Sequence, residues 1–195
     1  METLAALCIG VCLSAACGMR VFVPMLALGI ATRLNILTPA HGFEWLGSWP
    51  ALVAFTTAAA LEMGASLLPW LDHAVDVIAS PAAIVAGTLA TAAQIHDAGP
   101  LLTWSTGLAL GGGAAAIAQT TSVTTRAAST ATTAGLLNPI LGAIQSAASA
   151  VLSVLAIVVP VFAAVLVVLA AVTGFAVVRK WRRARAERIA ARALA

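Results

Sequence analysis

Charged residues are scarce in this chain of 195 residues. Only 9% of the residues are charged, whereas 62% are hydrophobic and the mean hydropathy is +1.04. Soluble domains carry about 25% charged residues, so this chain has too little polar surface to cover a water-facing domain. The shortage excludes a soluble enzyme, a disordered protein and a secreted disulfide scaffold. It predicts an integral membrane protein.

Catalytic and metal-binding motifs are missing as well. The sequence has no nucleophile elbow, no zincin histidine pair and no dinucleotide fingerprint, and no Lys-Ser/Thr follows the glycines at 111–113 as a phosphate loop requires. Cys8, Cys12 and Cys17 are odd in number and share one apolar segment, which is typical of small core residues. We therefore expect no enzyme, no cofactor and no bound metal.

Long apolar stretches are abundant, and a helix needs about 20 apolar residues to cross the hydrocarbon core. They cover residues 3–19, 21–36, 49–69, 76–95, 100–118 and 139–178, with short loops at about 36–48, 70–75 and 95–100. The pattern predicts an all-α, polytopic transmembrane helix bundle with six crossings, five or seven being the alternatives. Residues 119–137 are mostly Thr, Ser and Ala, which are too polar to face lipid and suit the interior of a bundle. Residues 1–178 show no composition shift and are expected to form one domain.

Positive charge is concentrated at the C-terminus. Seven of the ten basic residues lie in the last 17 residues, where only Glu187 opposes them. A basic block directly after an apolar span predicts a cytoplasmic C-terminus. The tail, residues 179–195, is expected to be helical or disordered and to contact anionic lipid headgroups. Nucleic acid is not an expected partner, because no folded basic domain accompanies the block.

Helix breakers interrupt several of the apolar stretches. Pro24 lies in the second stretch, Pro139 begins the last one and Pro160 lies inside it. Proline removes a backbone hydrogen bond and kinks a helix, and the freed carbonyls must be satisfied by protein or by a water-lined cavity. No polar turn surrounds Pro160, so we expect a kinked helix there, or a half-helix leading into a full one, rather than a hairpin.

Ionisable residues at membrane depth are few, and each costs about 2.5–3.5 kcal/mol on insertion scales. Glu62 lies in an otherwise apolar run, and Arg20 and Arg126 are the basic residues of the apolar body that could pair with it. We expect these three side chains to form a buried polar cluster at the bundle centre. The alternative is a structural pair that only fixes helix register.

Two further carboxylates, Asp72 and Asp76, are spaced i and i+4 beside His73. On a helix they would share one face. Because Asp72 follows Pro69 and precedes an apolar run, we favour a role for it as a helix N-cap at the interface. A cation or proton site is the alternative.

Gly107 and Gly111 have the spacing of a small-residue packing motif, which allows two helices to approach closely. The two helices could belong to one chain or to two copies. The sequence therefore leaves a homo-oligomer open.

Many of these residues recur in one pattern along the chain. In chain order it comprises Gly18-Met19-Arg20-Val21-Phe22-Val23-Pro24, Leu28-Gly29, Glu62, Pro69, Asp72, Arg126-Ala127-Ala128-Ser129-Thr130 and Gly135-Leu136-Leu137-Asn138-Pro139. This pattern resembles the DUF4126 family over roughly residues 5–175. The chain departs from the family where an Asp-Lys pair is often found, at Ser66-Leu67, and where an acidic residue often follows Asn-Pro, at Gln145-Ser146. The resemblance implies a multi-pass protein with broken helices in the bacterial inner membrane, and it implies no established activity.

Transport or permeation of a small solute or ion is the function we expect, through a polar path lined by buried charges at the helix breaks. Arg20 and Arg126 would attract an anion or pair with a carboxylate, and Glu62 would titrate. Asn138 would contact the solute beside a break, and Asp72 and Asp76 would add carboxylates to an ion path. The alternatives are a structural or regulatory subunit of a membrane complex, without transport, and an intramembrane enzyme that acts on lipid.

Overall fold

The protein is all-helical over the residues that the computed structural model describes. These are residues 2–66, 69–174 and 179, with the backbone alone described for residues 2 and 69–76. The helices are α1 Glu2–Cys17, α2 Phe22–Arg33, α3 Trp49–Ala65, α4 Pro69–Ala92, α5 Pro100–Thr106, α6 Gly113–Thr133, α7 Asn138–Val158 and α8 Pro160–Gly174. A 3₁₀-helix precedes α3 at Glu44–Gly47, and a π-helical segment at Gly107–Gly112 joins α5 to α6. The expected all-α class is confirmed, and this part of the chain contains no strand.

Most of the predicted apolar stretches coincide with helices, but the loop expected at 70–75 is wrong. These residues are helical because α4 begins at Pro69. Proline suits the first helical position, where its fixed φ is already helical and its missing N–H has no partner to lose. The predicted basic tail lies outside the described residues except for Arg179.

Only one face of helix α6 is buried in the bundle. Arg126 and Ser122 lie on its buried face, whereas Thr120 and Thr124 on the opposite face are exposed. The exposed hydroxyls donate to carbonyls one turn earlier, at 2.7 Å for Thr120 and 2.6 Å for Thr124, so they need no neighbouring helix. The expectation that residues 119–137 lie in the interior therefore holds for one face of the helix.

Helix α1 packs against α4, α6 and α7. Small residues bring α1 and α4 together, because the Ser14 hydroxyl lies 2.6 Å from the Gly87 carbonyl oxygen and 2.9 Å from the Thr91 hydroxyl. A Cβ on Gly10 would lie 2.9 Å from the Cα of Thr91, closer than real Cβ atoms come. The close spacing of these two helices thus depends on glycine and serine in α1.

The glycine motif at Gly107 and Gly111 makes its close approach within the chain. A Cβ on Gly107 would lie 3.0 Å from the carbonyl oxygen of Thr88, and one on Gly111 would overlap the carbonyl oxygen of Gly87. Both glycines therefore pack against α4. A homo-oligomer remains a prediction that this contact does not require.

Helices α7 and α8 form one rod with a bend. Val159 leaves helical geometry (φ −135°, ψ 71°), and Pro160 then begins α8. Hydrogen bonds between residues four apart continue on both sides, from Val159 N–H to Leu155 at 2.8 Å and from Ala163 N–H to Val159 at 3.0 Å. The missing proline N–H accounts for the interruption. The structure therefore has a kink here, as the sequence predicts, and no hairpin.

Two ends of the bundle can be distinguished. At the first, the Ala40 N–H donates to the Ala93 carbonyl at 2.8 Å, which joins the loops at residues 34–48 and 93–99. We call this the loop end. The opposite end is the turn at residues 134–137 between the antiparallel helices α6 and α7, and we call it the hairpin end.

Helices α1 and α2 both have their outer ends at the loop end. Gly10 of α1 contacts Thr91 near the end of α4, and Arg33 at the end of α2 donates to the Gly47 carbonyl at 3.3 Å. The pair is therefore a helical hairpin that turns back inside the bundle. At 1.5 Å per residue α1 is about 24 Å long and α2 about 18 Å, and each is shorter than a hydrocarbon core of about 30 Å.

Two helical stretches in the described part of the chain are long and apolar enough to cross a membrane. They are Pro100–Thr133 and Asn138–Val158, and four shorter apolar helices accompany them: Thr3–Cys17, Phe22–Arg33, Val77–Ala92 and Pro160–Gly174. By length and composition alone these helices point weakly to membrane association. The number of crossings stays a prediction.

Replacing Gly111 by alanine should destabilise the fold, because the new Cβ would overlap the Gly87 carbonyl at the contact with α4. Overpacking of this kind costs about 1–3 kcal/mol, so the thermal unfolding temperature in detergent should fall. Gly113→Ala is the matched control, because no atom lies within 4 Å of a Cβ there and alanine is the better helix former. Equal unfolding temperatures for the two variants would contradict the packing role of Gly111.

Candidate functional site

The break between α1 and α2, residues 18–21, is lined by polar groups from two other helices. The Ser149 hydroxyl of α7 donates to the Ala16 carbonyl at 3.1 Å, and the Ser122 hydroxyl of α6 donates to the Gly18 carbonyl at 3.3 Å. A Cβ on Gly18 would overlap α6, so the two backbones meet directly. The Gly18 carbonyl, beyond the last turn of α1, thereby finds a donor within the protein, whereas the Ala16 carbonyl also accepts from the backbone N–H groups of Met19 and Arg20.

The carboxylate of Glu62 caps the N-terminus of α2. Its Oε1 accepts from the Val21 N–H at 2.9 Å, and its Oε2 accepts from the Phe22 N–H at 3.2 Å. Helix α2 has no side-chain cap of its own and no acidic residue in its first turn, and a helix N-terminus favours negative charge. Pro24, the third residue of α2, offers no N–H. Helix α3 thus supplies the cap that the sequence of α2 lacks.

Arg20 ties the break to α3 and α7. The side chain is 2% exposed, and its guanidinium donates to the carbonyl of Glu62 at 3.1 Å and to that of Gly142 at 3.0 Å. The planar guanidinium holds its donors in a fixed fork. A Cβ on Gly142 would lie 2.9 Å from the Arg20 nitrogen and 3.0 Å from the Ser66 hydroxyl. Glycine at this position therefore makes room for the arginine.

Arg126 is buried on the inner face of α6, where its Nε and Nη2 donate to Oε1 of Gln145 on α7 at 3.0 Å and 2.5 Å. Arg20 bonds the backbone of Glu62 and of Gly142, and Arg126 bonds Gln145, which lies one turn after Gly142 on α7. The structure thus brings together the three ionisable side chains that the sequence singled out. Because Gly142 lies in the second turn of α7, the cluster is nearer the hairpin end than the expected bundle centre.

Asn138 lies at the second break, where Ala134 (φ 52°) and Gly135 (φ 84°) adopt the left-handed backbone between α6 and α7. Its Nδ2 donates to the Thr130 hydroxyl at 3.1 Å. That hydroxyl donates its own proton to the Arg126 carbonyl at 3.0 Å, so it can only accept from Asn138, which sets the orientation of the amide. The amide oxygen is buried and has no hydrogen-bond partner among the described residues.

Asp72 and Asp76 lie one turn apart on α4, so the backbone puts them on one face. Their side chains fall outside the described residues. The expected N-cap position of Asp72 is wrong, because α4 begins three residues earlier at Pro69. Within the part of the chain that is described, no group of three or more His, Cys, Asp or Glu side chains could hold a metal ion.

The three prolines that the sequence predicted as helix breaks each follow a break directly. Pro24 and Pro139 lie in the first turns of α2 and α7, and Pro160 is the first residue of α8. For Pro24 and Pro139 the missing N–H costs no internal hydrogen bond, whereas at Pro160 it interrupts the hydrogen bonding between α7 and α8. These prolines therefore begin helices, and the residues before them form the breaks.

The sequence analysis missed most of the inward face of α7. Its polar and small residues share one helical face, at spacings of three and four residues: Asn138, Gly142, Gln145, Ser149 and Ser153. Such spacing places side chains on one side of a helix. A search for polar residues at helical spacing within an apolar run would have found them.

Comparison with known proteins identifies a family whose function is unknown. A family model described as Domain of unknown function (DUF4126) matches residues 7–180. No curated protein and no solved structure matches the chain.

Replacing Arg20 by lysine should lower thermal stability although it keeps the charge. One ammonium group cannot reproduce a guanidinium fork that bonds carbonyls on two helices, and hydrogen bonds from charged groups are worth about 1.5–3 kcal/mol each. Arg33→Lys is the matched control, because Arg33 is exposed and donates to one carbonyl. A thermal unfolding temperature that falls no further in Arg20→Lys than in Arg33→Lys would show that the two carbonyl contacts of Arg20 are dispensable.

Proposed function

The chain belongs to the DUF4126 family, a domain of unknown function, and we propose that it is a multi-pass membrane protein that passes a small solute or ion along a polar path. The observation that carries this proposal is the polar inward face of α7. The part of this face that leads to the α1–α2 break, from Asn138 to Gln145, covers about 10 Å at 1.5 Å per residue. Polar groups buried in an apolar bundle are costly, and they commonly mark substrate or ion pathways.

The path would start at the hairpin end and run to the break between α1 and α2. Asn138 would stand near its start, where the buried amide oxygen has no hydrogen-bond partner among the described residues and would accept from a solute once the path opens. Arg126 and Gln145 would follow, and Arg20 with the Glu62 carboxylate would mark its inner end. A groove between α4 and α6 that includes Ser80 and Gln119 opens separately from these residues and does not belong to the path.

Apolar side chains would close the path beyond the break. Leu13 of α1 and Leu28 of α2 are fully buried, and Met25 and Leu46 belong to the same apolar core. We call these four residues the apolar seal. A path that is polar on one side and sealed on the other corresponds to one state of a transporter that opens to each side in turn.

The membrane setting is supported by the outer surface of the bundle. Large apolar side chains are exposed along α7 and α8, including Ile144, Val151, Val158 and Phe162, and such continuous apolar surface is unusual on a protein that faces water. Trp45, Trp49 and Trp104 are exposed around the loop end, as is typical of residues at the lipid–water interface.

For the topology, we propose that α3, α4, the α5–α6 rod and the α7–α8 rod cross the membrane. The α1–α2 hairpin would then enter and leave on one side, in place of the first two of the six predicted crossings. The loop end and the basic tail would lie in the cytoplasm of a bacterium, at its inner membrane.

Cysteine labelling tests this topology. In a variant without Cys8, Cys12 and Cys17, a bulky impermeant maleimide on intact spheroplasts should label Leu136→Cys at the hairpin end. His41→Cys at the loop end should react only after permeabilisation. Met19→Cys should stay unlabelled, because the turn of the α1–α2 hairpin would lie inside the bundle, where a bulky reagent is too large to enter the polar path; labelling of Met19→Cys from outside would mean two full crossings.

A structural or regulatory subunit is the second candidate, and the contacts of Arg20 and Glu62 favour it. Both side chains bond backbone groups of neighbouring elements, which is what a purely structural polar cluster would do. In this case the buried charges would only specify how the helices pack.

Solute entry into proteoliposomes separates the two candidates. Stopped-flow light scattering with glycerol, urea or potassium chloride should show entry of at least one probe above the rate of empty liposomes. Gln145→Leu, inside the path, should reduce that rate about tenfold, which corresponds to about 1.4 kcal/mol in the barrier. Thr121→Val, on the exposed face of α6, is the control and should keep it. Entry of all three probes at the rate of empty liposomes would refute transport of these solute classes and favour the structural candidate.

A further inference from the structure

The first turn of α2 is held by one carboxylate, that of Glu62 on α3. The N–H groups of Val21 and Phe22 donate to the two oxygens of Glu62 at 2.9 Å and 3.2 Å. No side chain within α2 replaces this contact. Because both bonds end on the same group, their strength depends on the charge of a single side chain.

The end of α1 is held in a different way. Arg20 donates to two backbone carbonyls, and the hydroxyls of Ser122 and Ser149 donate to two others. None of these bonds involves the carboxylate group of Glu62. A change in the charge of Glu62 would therefore loosen α2 while the end of α1 stays tied to α6 and α7.

Among the described residues, few titratable groups surround Glu62. Those that face it are Arg20 in the break, Cys17 at the end of α1 and Arg126 on α6. Helix α7 presents the neutral Gln145 at this level, and the first turn of α2 contains no acidic residue. Helix α4 carries three titratable residues in its first part, Asp72, His73 and Asp76, and their side chains fall outside the described residues.

We propose that Glu62 is a proton-operated latch on α2. A proton that arrives along the polar path from the hairpin end binds a carboxylate oxygen of Glu62, which turns a two-oxygen anionic acceptor into a neutral group with one O–H donor. The two bonds to Val21 and Phe22 then lose their charge assistance. This inference rests on the proposed path, and it adds that a proton controls its opening.

The released helix carries part of the apolar seal. Met25 and Leu28 of α2 are buried in the core beyond the break. Movement of the first turn of α2 would withdraw these side chains from the closed side of the path. The latch thus connects one protonation step to the element that blocks passage toward the loop end.

Amide hydrogen exchange of the full-length protein in nanodiscs tests the latch. Exchange of residues 22–33, corrected for the intrinsic effect of pH and compared with residues 138–158, should rise about tenfold between about pH 9 and about pH 5 in the wild type, the change expected when charge-assisted bonds are lost. In Glu62→Gln the same residues should exchange fast at both pH values. Glu44→Gln, which removes an exposed carboxylate at the loop end, should behave as the wild type.

Two results would overturn the latch: exchange of residues 22–33 that does not change with pH in the wild type, or a pH response that survives in Glu62→Gln. Glu62→Asp keeps a titratable carboxylate and should keep a pH response, which provides a second variant if Glu62→Gln does not fold. The latch and the path can fail separately. Entry of a probe into proteoliposomes without pH-dependent exchange would refute the latch alone, and pH-dependent exchange without entry would refute the path.

Discussion

A helix that stops inside an apolar bundle leaves backbone N–H and C=O groups that must find partners there. The arrangement around the α1–α2 break follows from this constraint. Glu62 of α3 takes the amides at the start of α2, and Ser122 and Ser149 take carbonyls at the end of α1. Three helices therefore converge on one turn of backbone, and the buried charge has a physical reason whether or not a solute passes.

The same constraint bears on how the site could act. In transporters with broken helices, the positive end of a half-helix commonly faces an anionic group of the substrate. Here the N-terminus of α2 already holds the carboxylate of Glu62. The two oxygens of one side chain thus occupy the place where such a half-helix would hold a substrate anion.

Much of the fold follows from local properties of the chain. The apolar stretches and the prolines at 24, 139 and 160 give helix positions, because hydrophobic length and a missing N–H act on neighbouring residues. The bend before Pro160 is of this kind. The start of α4 was misplaced because Asp72 resembles an N-cap, whereas Pro69 three residues earlier begins the helix. The local sequence contains both possible start signals of α4, Pro69 and Asp72, and does not decide between them.

Only part of the candidate site could be predicted from the sequence. Glu62, Arg20 and Arg126 could be singled out because ionisable side chains in apolar runs are costly and must find partners. Their actual partners include backbone atoms of Val21, Phe22 and Gly142. Nearly every residue offers the same backbone N–H and C=O groups, so the residue types at these positions do not identify them as partners.

The sequence by itself determined that the chain is helical and strongly apolar, where its helices are interrupted, and which charged residues need an explanation. Each of these rests on composition or on residues within a few positions of one another. The tertiary structure decided that α1 and α2 fold back as a hairpin, that Glu62 caps α2, and that Gly107 and Gly111 pack against α4 of the same chain. The reason is that all three depend on which helices become neighbours, and residues on helices distant along the chain have no local interaction that fixes this choice.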